Sequence, residues 1–128
     1  MKLIKILVLA LVILFQRLAF GQVVFEMEHD AGVYKVPCKV NGLKLKFIFD
    51  TGASSVSISS TVADMMLEND YLNKNDIVGS GYSQTADGKI VDHTRINLKT
   101  IEIGGLILHN VEAIVMHQQS APLLLGQS

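Results

Sequence analysis

The feature that most constrains this chain is a strand pattern that leads directly into an aspartate. From Leu43 to Phe49, leucines and phenylalanines alternate with other side chains, and Asp50-Thr51-Gly52 follows at once. Alternation places successive side chains on opposite faces and predicts a half-buried strand. An aspartate is unfavourable there unless its carboxylate is hydrogen-bonded or serves a function. Because Gly52 permits a sharp turn, the pattern predicts a carboxyl group held rigidly at the end of a sheet.

The remainder of the chain predicts a small all-β fold. Asn41-Gly42 and Asp87-Gly88 are both typical of the tips of tight hairpins. Ser59 or Ser60 can cap one short helix that ends near Leu67. Several short strands with close turns therefore predict a small closed β-barrel or a sandwich. The predicted strands cover residues 23–29, 33–40, 43–49, 82–85, 90–98, 100–103, 106–116 and 123–125.

Residues 1–21 have the pattern of a signal peptide. Lys2 and Lys5 give a basic start, residues 6–15 are apolar, and Ala19-Phe20-Gly21 offers small residues for cleavage. The alternative is a retained membrane anchor, but ten apolar residues are few for a bilayer span. We therefore expect a mature domain over residues 22–128 that is exported, to the periplasm or outside the cell.

Charge and side-chain spacing argue against several functions. Removing the leader leaves 8 basic residues against 12 acidic ones, a net charge of −4, so no basic surface for nucleic acid is expected. The four histidines have no paired spacing, so neither a metal site nor another cofactor is predicted. Cys38, the single cysteine, is in phase with Tyr34 and Val36 and is predicted to be a buried structural thiol. The acidic residues of segment 64–76 are predicted to be solvated.

The segment Phe47 to Ser54 resembles the active-site loop of aspartic proteases. Ala53, directly after Asp50-Thr51-Gly52, is more similar to the retropepsin-like branch than to the pepsin branch. Further resemblance to bacterial members extends over residues 32–128. The resemblance implies a small closed β-barrel of the retropepsin-like acid protease type with one short helix.

The resemblance also implies roles for particular residues. Asp50 would be catalytic, and Tyr82 is predicted to be half-buried packing, with substrate contact as the alternative. The resemblance implies that Thr51, Gly52, Ala53 and Ser54 support the active-site loop. It implies a substrate-covering flap at Ala86, Asp87, Gly88 and Lys89. The segment behind the loop would be Leu124, Leu125 and Gly126.

One Asp-Thr-Gly supplies one carboxylate, whereas peptide hydrolysis of this type needs two that share a proton. The resemblance therefore implies a homodimeric endopeptidase without a cofactor, in which two Asp50 side chains activate water against a peptide or protein substrate. Family members continue with a helix and usually a strand after the position of Gly126, and the sequence given stops at Ser128. The alternative is thus a non-catalytic, monomeric module of the same fold without its dimer brace.

Overall fold

The computed structural model describes residues 1–15 and 21–127. Helix α1 spans Lys2–Phe15, within the predicted signal peptide. In the described part of the chain, no helix has both the length and the apolar character needed to cross a membrane. Ala19 and Phe20 of the predicted cleavage site lie outside the described residues, so the signal peptide stays a prediction.

Within the residues that the structure describes, eight strands and one further α-helix follow α1. The elements are β1 (Glu28–Asp30), β2 (Val33–Val40), β3 (Leu43–Phe49), β4 (Val56–Ser59), α2 (Ser60–Glu68), β5 (Ile77–Gln84), β6 (Ile90–Ile103), β7 (Leu106–Met116) and β8 (Leu124–Leu125), with a short 3-10 helix at Lys74–Asp76 before β5. The prediction of an all-β fold with one short helix after the leader is confirmed.

All eight strands belong to one sheet in the order β1-β2-β3-β8-β4-β7-β6-β5. Strand β2 also pairs with β6 through Lys39 opposite Glu102 and Val40 opposite Ile101. This pairing closes a ring of six strands in the order β2, β3, β8, β4, β7 and β6. Most pairs are antiparallel, and β3–β8 and β4–β7 are parallel. Asn41 and Gly42 have φ values of 49° and 88°, which fit the predicted β2–β3 turn.

The hydrophobic core fills the inside of this ring, and α2, which contributes to it, begins at a serine cap. Alternate residues of the long strands are fully buried, and Met66 of α2 joins them. The Ser59 hydroxyl caps α2 by accepting a hydrogen bond from the Val62 amide at 3.2 Å. The largest fully buried side chains are Phe47, Ile58, Met66, Ile96, Leu98, Ile101, Val36 and Val40.

The structure differs from the sequence prediction at several places, among them β5, which covers Ile77–Gln84 instead of 82–85. Strand β1 is only three residues long instead of covering 23–29, because pairing with β2 begins at Glu28. Segments 90–98 and 100–103 form one strand, β6, that pairs with β7 almost throughout. Asp76 is buried rather than solvated: its carboxylate accepts a hydrogen bond from the Asn73 amide at 2.9 Å and lies 3.4 Å from the Lys99 ammonium group.

Cys38 lies on β2 and is buried as predicted, with 6 % of its surface exposed. Its neighbour in phase, Tyr34, is 55 % exposed, and its ring lies 4.9 Å from that of His29 of β1 in a tilted arrangement. Burial raises the pKa of the Cys38 thiol from 9.0 to about 11, because the charged thiolate is poorly solvated inside the sheet. This environment suits a structural thiol and not a nucleophile.

We therefore expect Cys38 to react slowly with iodoacetamide at pH 8 while the protein is folded. A pKa of about 11 in place of 9.0 lowers the thiolate fraction at pH 8, and hence the rate, about 100-fold relative to the unfolded chain. Mass spectrometry of samples quenched over time, with and without guanidinium chloride, measures both rates. Equal rates in the two conditions would contradict a buried thiol.

Candidate active site

The Asp50 carboxyl group sits where β3 ends, and backbone contacts hold it there. Its Oδ1 accepts a hydrogen bond from the Gly52 amide at 2.9 Å, and its own amide donates to the Leu125 carbonyl at 3.1 Å. The Ala53 amide donates to the Asp50 carbonyl at 3.2 Å and closes the turn. A Cβ atom at Gly52 would stand 3.2 Å from Oδ1, so glycine also leaves room for the carboxylate. Asp50 is half-buried.

Strand β8 and Gly126, which follows it, pack directly behind this loop. Leu124 pairs with Ile48 of β3 on one side and with Ser57 of β4 on the other. A Cβ atom at Gly126 would lie 2.5 Å from the Ala53 carbonyl oxygen and 2.6 Å from that of Ser55. Only glycine allows the chain to pass this close to the loop.

The three side chains around the carboxylate differ in exposure. Thr51 and Ser54 are exposed, and Ala53 is half-buried. Neither hydroxyl, of Thr51 or of Ser54, hydrogen-bonds to another residue in the described part of the chain, so Ser54 does not orient Asp50 here. The outer surface of the loop is therefore accessible.

The predicted flap is the β5–β6 hairpin. The amide of Thr85 donates to the Lys89 carbonyl and that of Gly88 to the Thr85 carbonyl, both at 2.8 Å, and Gly88 has φ of 83°. The Thr85 hydroxyl donates to the Asp87 carboxylate, which the Lys89 ammonium group also approaches to 3.0 Å. These two contacts, the hydroxyl first, hold the pKa of Asp87 below its usual range.

One cavity of about 420 Å³ brings the loop and the hairpin together. Asp50, Gly52, Ala53 and Ser54 form one wall, and Ala86 lies on the hairpin side, whereas Thr51, Asp87, Gly88 and Lys89 are not among the lining residues. Tyr82 is also absent from the lining and is 79 % exposed, so its predicted half-buried packing is wrong. Leu124, which the sequence placed behind the loop, also lines the cavity. The lining residues that the sequence did not indicate are Ser55, Ser57, Ser83, Gln84, Thr85, Ile114, Met116, Gln118, Ala121 and Pro122.

The register of β5 determines which of its side chains face the cavity. Tyr82 pairs with Asp92 and Ser83 with Val91, so their side chains point to opposite faces of the hairpin. Ser83 faces the cavity, and its Oγ lies 2.8 Å from Nδ1 of His93. Strand alternation alone could have separated the two residues, but not decided which face was inner.

A second cavity, of about 380 Å³, contains no residue of the Asp50 loop. It lies beside β2 and β3, with Lys39, Lys44 and Lys46 around Cys38 and Leu45. Glu102 is the acidic residue in its lining, and its carboxylate lies 4.0 Å from the Lys39 ammonium group. In residues 1–15 and 21–127, no three His, Cys, Asp or Glu side chains cluster closely enough to hold a metal ion.

Comparisons with known proteins agree with this geometry. The family model of the gag-polyprotein putative aspartyl protease matches residues 36–128. The chain belongs to this retropepsin-like family. Its fold is similar to that in the crystal structure of a retropepsin-like aspartic protease from Rickettsia conorii, with a TM-score of 0.56 and 20% sequence identity over 82% of each chain. No curated protein matches the chain. The predicted family and fold class are thus confirmed.

The stability of the fold around the Asp50 loop should depend more on Gly126 than on the residue that follows it. Gly126→Ala places a methyl group against two backbone carbonyls that cannot rotate away, and we expect a loss of about 1–3 kcal/mol in the free energy of unfolding. Urea denaturation measures it. Gln127→Ala is the matched control, because it keeps the backbone hydrogen bond from residue 127 to the Ala53 carbonyl and removes only an exposed side chain. Equal stability of the two variants would contradict tight packing behind the loop.

Proposed function

We propose that this protein is an aspartic endopeptidase that cleaves peptide bonds as a homodimer, with one Asp50 from each chain. The observation that carries the proposal is the position of Asp50. Its carboxylate is held by backbone at a strand end and lines a cavity whose far side is a hairpin. The family of the chain, to which aspartyl proteases belong, supports the same chemistry.

The proposed reaction requires a pair of Asp50 carboxyl groups that hold one proton between them. The ionised member takes a proton from water as the water oxygen attacks the scissile carbonyl carbon, and the other gives its proton to the carbonyl oxygen. The resulting diol breaks down when the carboxyl group that took the proton from water gives it to the peptide nitrogen, the C–N bond cleaves, and a diol hydroxyl returns its proton to the other carboxylate. One water is consumed, and an acid and an amine are formed.

The exposure of the loop supports a second copy as the partner. Thr51 and Gly52 are both exposed beside the half-buried Asp50, so a twofold axis at this surface would bring two loops together. Two copies of the hairpin would then cover a shared cleft that takes an extended peptide, and closing them would exclude bulk water. No metal ion or organic cofactor is needed for these steps.

The proposed location of the enzyme is outside the cytoplasm, in the periplasm or the medium. Support comes from the basic start and the apolar helix α1, which is 14 residues long.

Asp50→Asn should lower the rate of peptide cleavage at acid pH by about 100-fold or more, because the amide cannot share a proton in this way. The assay uses purified protein and fluorogenic peptides, with mass in solution measured by light scattering. Asp64→Asn is the matched control, since Asp64 is an exposed acid on α2. We expect a dimer whose activity the control retains. Unchanged cleavage by Asp50→Asn would contradict the mechanism, and an inactive monomer would favour the non-catalytic module.

Exported protein should begin at Gln22, because cleavage after Gly21 removes the basic and apolar leader. Mass spectrometry of the N-terminal peptide from the extracytoplasmic fraction measures this. Replacing Lys2 and Lys5 with glutamate should reduce export, since the basic start orients the leader. A chain that retains Met1 in the membrane fraction would instead indicate an anchor.

A further inference from the structure

His93 is the least exposed histidine in the described residues, at 6 %, and it lies on the cavity side of the flap hairpin. It stands on β6, opposite Gly81 of β5 and Met116 of β7. Because Ser83 and Met116 both line the Asp50 cavity, the histidine shares its face with that cavity. A buried imidazole on this face lies directly behind the surface that would cover a substrate.

The imidazole of His93 is fixed from two sides. Its Nδ1 lies 2.8 Å from the Ser83 Oγ, and its Nε2 occupies the space beside Gly81. A Cβ atom at Gly81 would approach Nε2 to 2.8 Å and Cε1 to 3.3 Å. The missing side chain at position 81 therefore makes room for the ring in the orientation that meets Ser83.

The hydroxyl of Ser83 has one hydrogen and two lone pairs to divide between His93 and the cavity. When neutral His93 accepts at Nδ1, the hydroxyl donates to it and presents only lone pairs to the cavity. When Nδ1 carries a proton, the ring donates to Ser83 and the hydroxyl hydrogen is free. The state of one ring nitrogen thus decides what Ser83 can offer to a ligand.

We propose that His93 is a positioning residue that directs the Ser83 hydroxyl toward the main chain of the bound peptide: with a hydrogen on Nδ1, the ring donates to Ser83, and the Ser83 hydroxyl donates to a peptide carbonyl. The inference rests on the proposed function and deepens it.

Charged groups around His93 are paired with each other. Arg95, on the same face of β6, donates to Glu112 of β7 through Nε at 2.9 Å and Nη2 at 2.7 Å. The hydrogen bond from Arg95 is the largest cause that holds the pKa of Glu112 below its usual range. The positive charges of Arg95 and His93 lower this pKa further. Ser83 is the polar neighbour from β5. The arginine and the glutamate largely offset each other, which leaves the hydrogen bond to Ser83 as the directional contact of the ring.

The kinetic test uses Ser83→Ala, His93→Gln and the double variant. Each single change should raise KM about three- to tenfold with kcat altered less than twofold, as for the loss of one neutral hydrogen bond to substrate. The double variant should be no worse than Ser83→Ala, because both changes remove the same contact. Effects that multiply in the double variant, or a loss in kcat alone, would overturn the inference.

A second test displaces the ring without touching either hydrogen-bonding group. Gly81→Ala should reproduce the KM increase of His93→Gln, because the new methyl group meets Nε2. Ser80→Ala is the matched control: Ser80 is exposed on the opposite face of β5, and its loss should leave KM unchanged. A wild-type KM in Gly81→Ala would count against the inference.

Nitrogen-15 NMR of the full chain gives a readout that does not need activity. The Nδ1 resonance of His93 should shift in Ser83→Ala and stay in place in Ser80→Ala, and an unmoved resonance in both would overturn the inference. The two proposals fail separately. Cleavage that survives Asp50→Asn removes the proposed function, whereas Asp50-dependent cleavage with a KM indifferent to Ser83 removes only the role of His93.

Discussion

The site depends on a close backbone contact between the active-site loop and the last described segment of the chain. Strand β8 has only two residues, Leu124 and Leu125, yet it joins β3 to β4 and accepts the Asp50 amide hydrogen bond at the Leu125 carbonyl. Gly126 follows β8 and lies so close to the Ala53 and Ser55 carbonyl oxygens that a residue with a Cβ atom would not fit. Backbone contacts do not swing between rotamers as side chains do, so the direction of the carboxylate follows from the sheet itself.

Features encoded locally could be predicted from the sequence. The alternation in β3, the Asn41-Gly42 turn and the Ser59 cap each depend on neighbours within a few residues, and all three are present in the structure. The position of Asp50 at a strand end follows in the same way. The resemblance to the family added what local pattern lacks, namely that residues 124–126 lie behind residues 50–54.

Features that depend on contacts distant in sequence could not be predicted in this way. The buried Asp76 carboxylate pairs with Lys99, which comes from β6, and the length of β1 follows from its pairing with the first three residues of β2. The inner face of the hairpin is fixed by the β6–β7 register, so Tyr82 and Ser83 could not be assigned to faces from their own segment. In each case a partner strand chose between alternatives that the local sequence left equal.

Rigid support of Asp50 is also what a shared-proton pair would demand. Two carboxylates about 3 Å apart repel by about 5 kcal/mol at an effective dielectric of 20, enough to turn a flexible side chain away. A half-buried acid fixed through the Gly52 amide and by the β8 backbone resists that movement, and the pair lowers its energy by holding a proton instead. The loop contacts that strengthen the fold would thereby also keep the two acids close enough to share that proton.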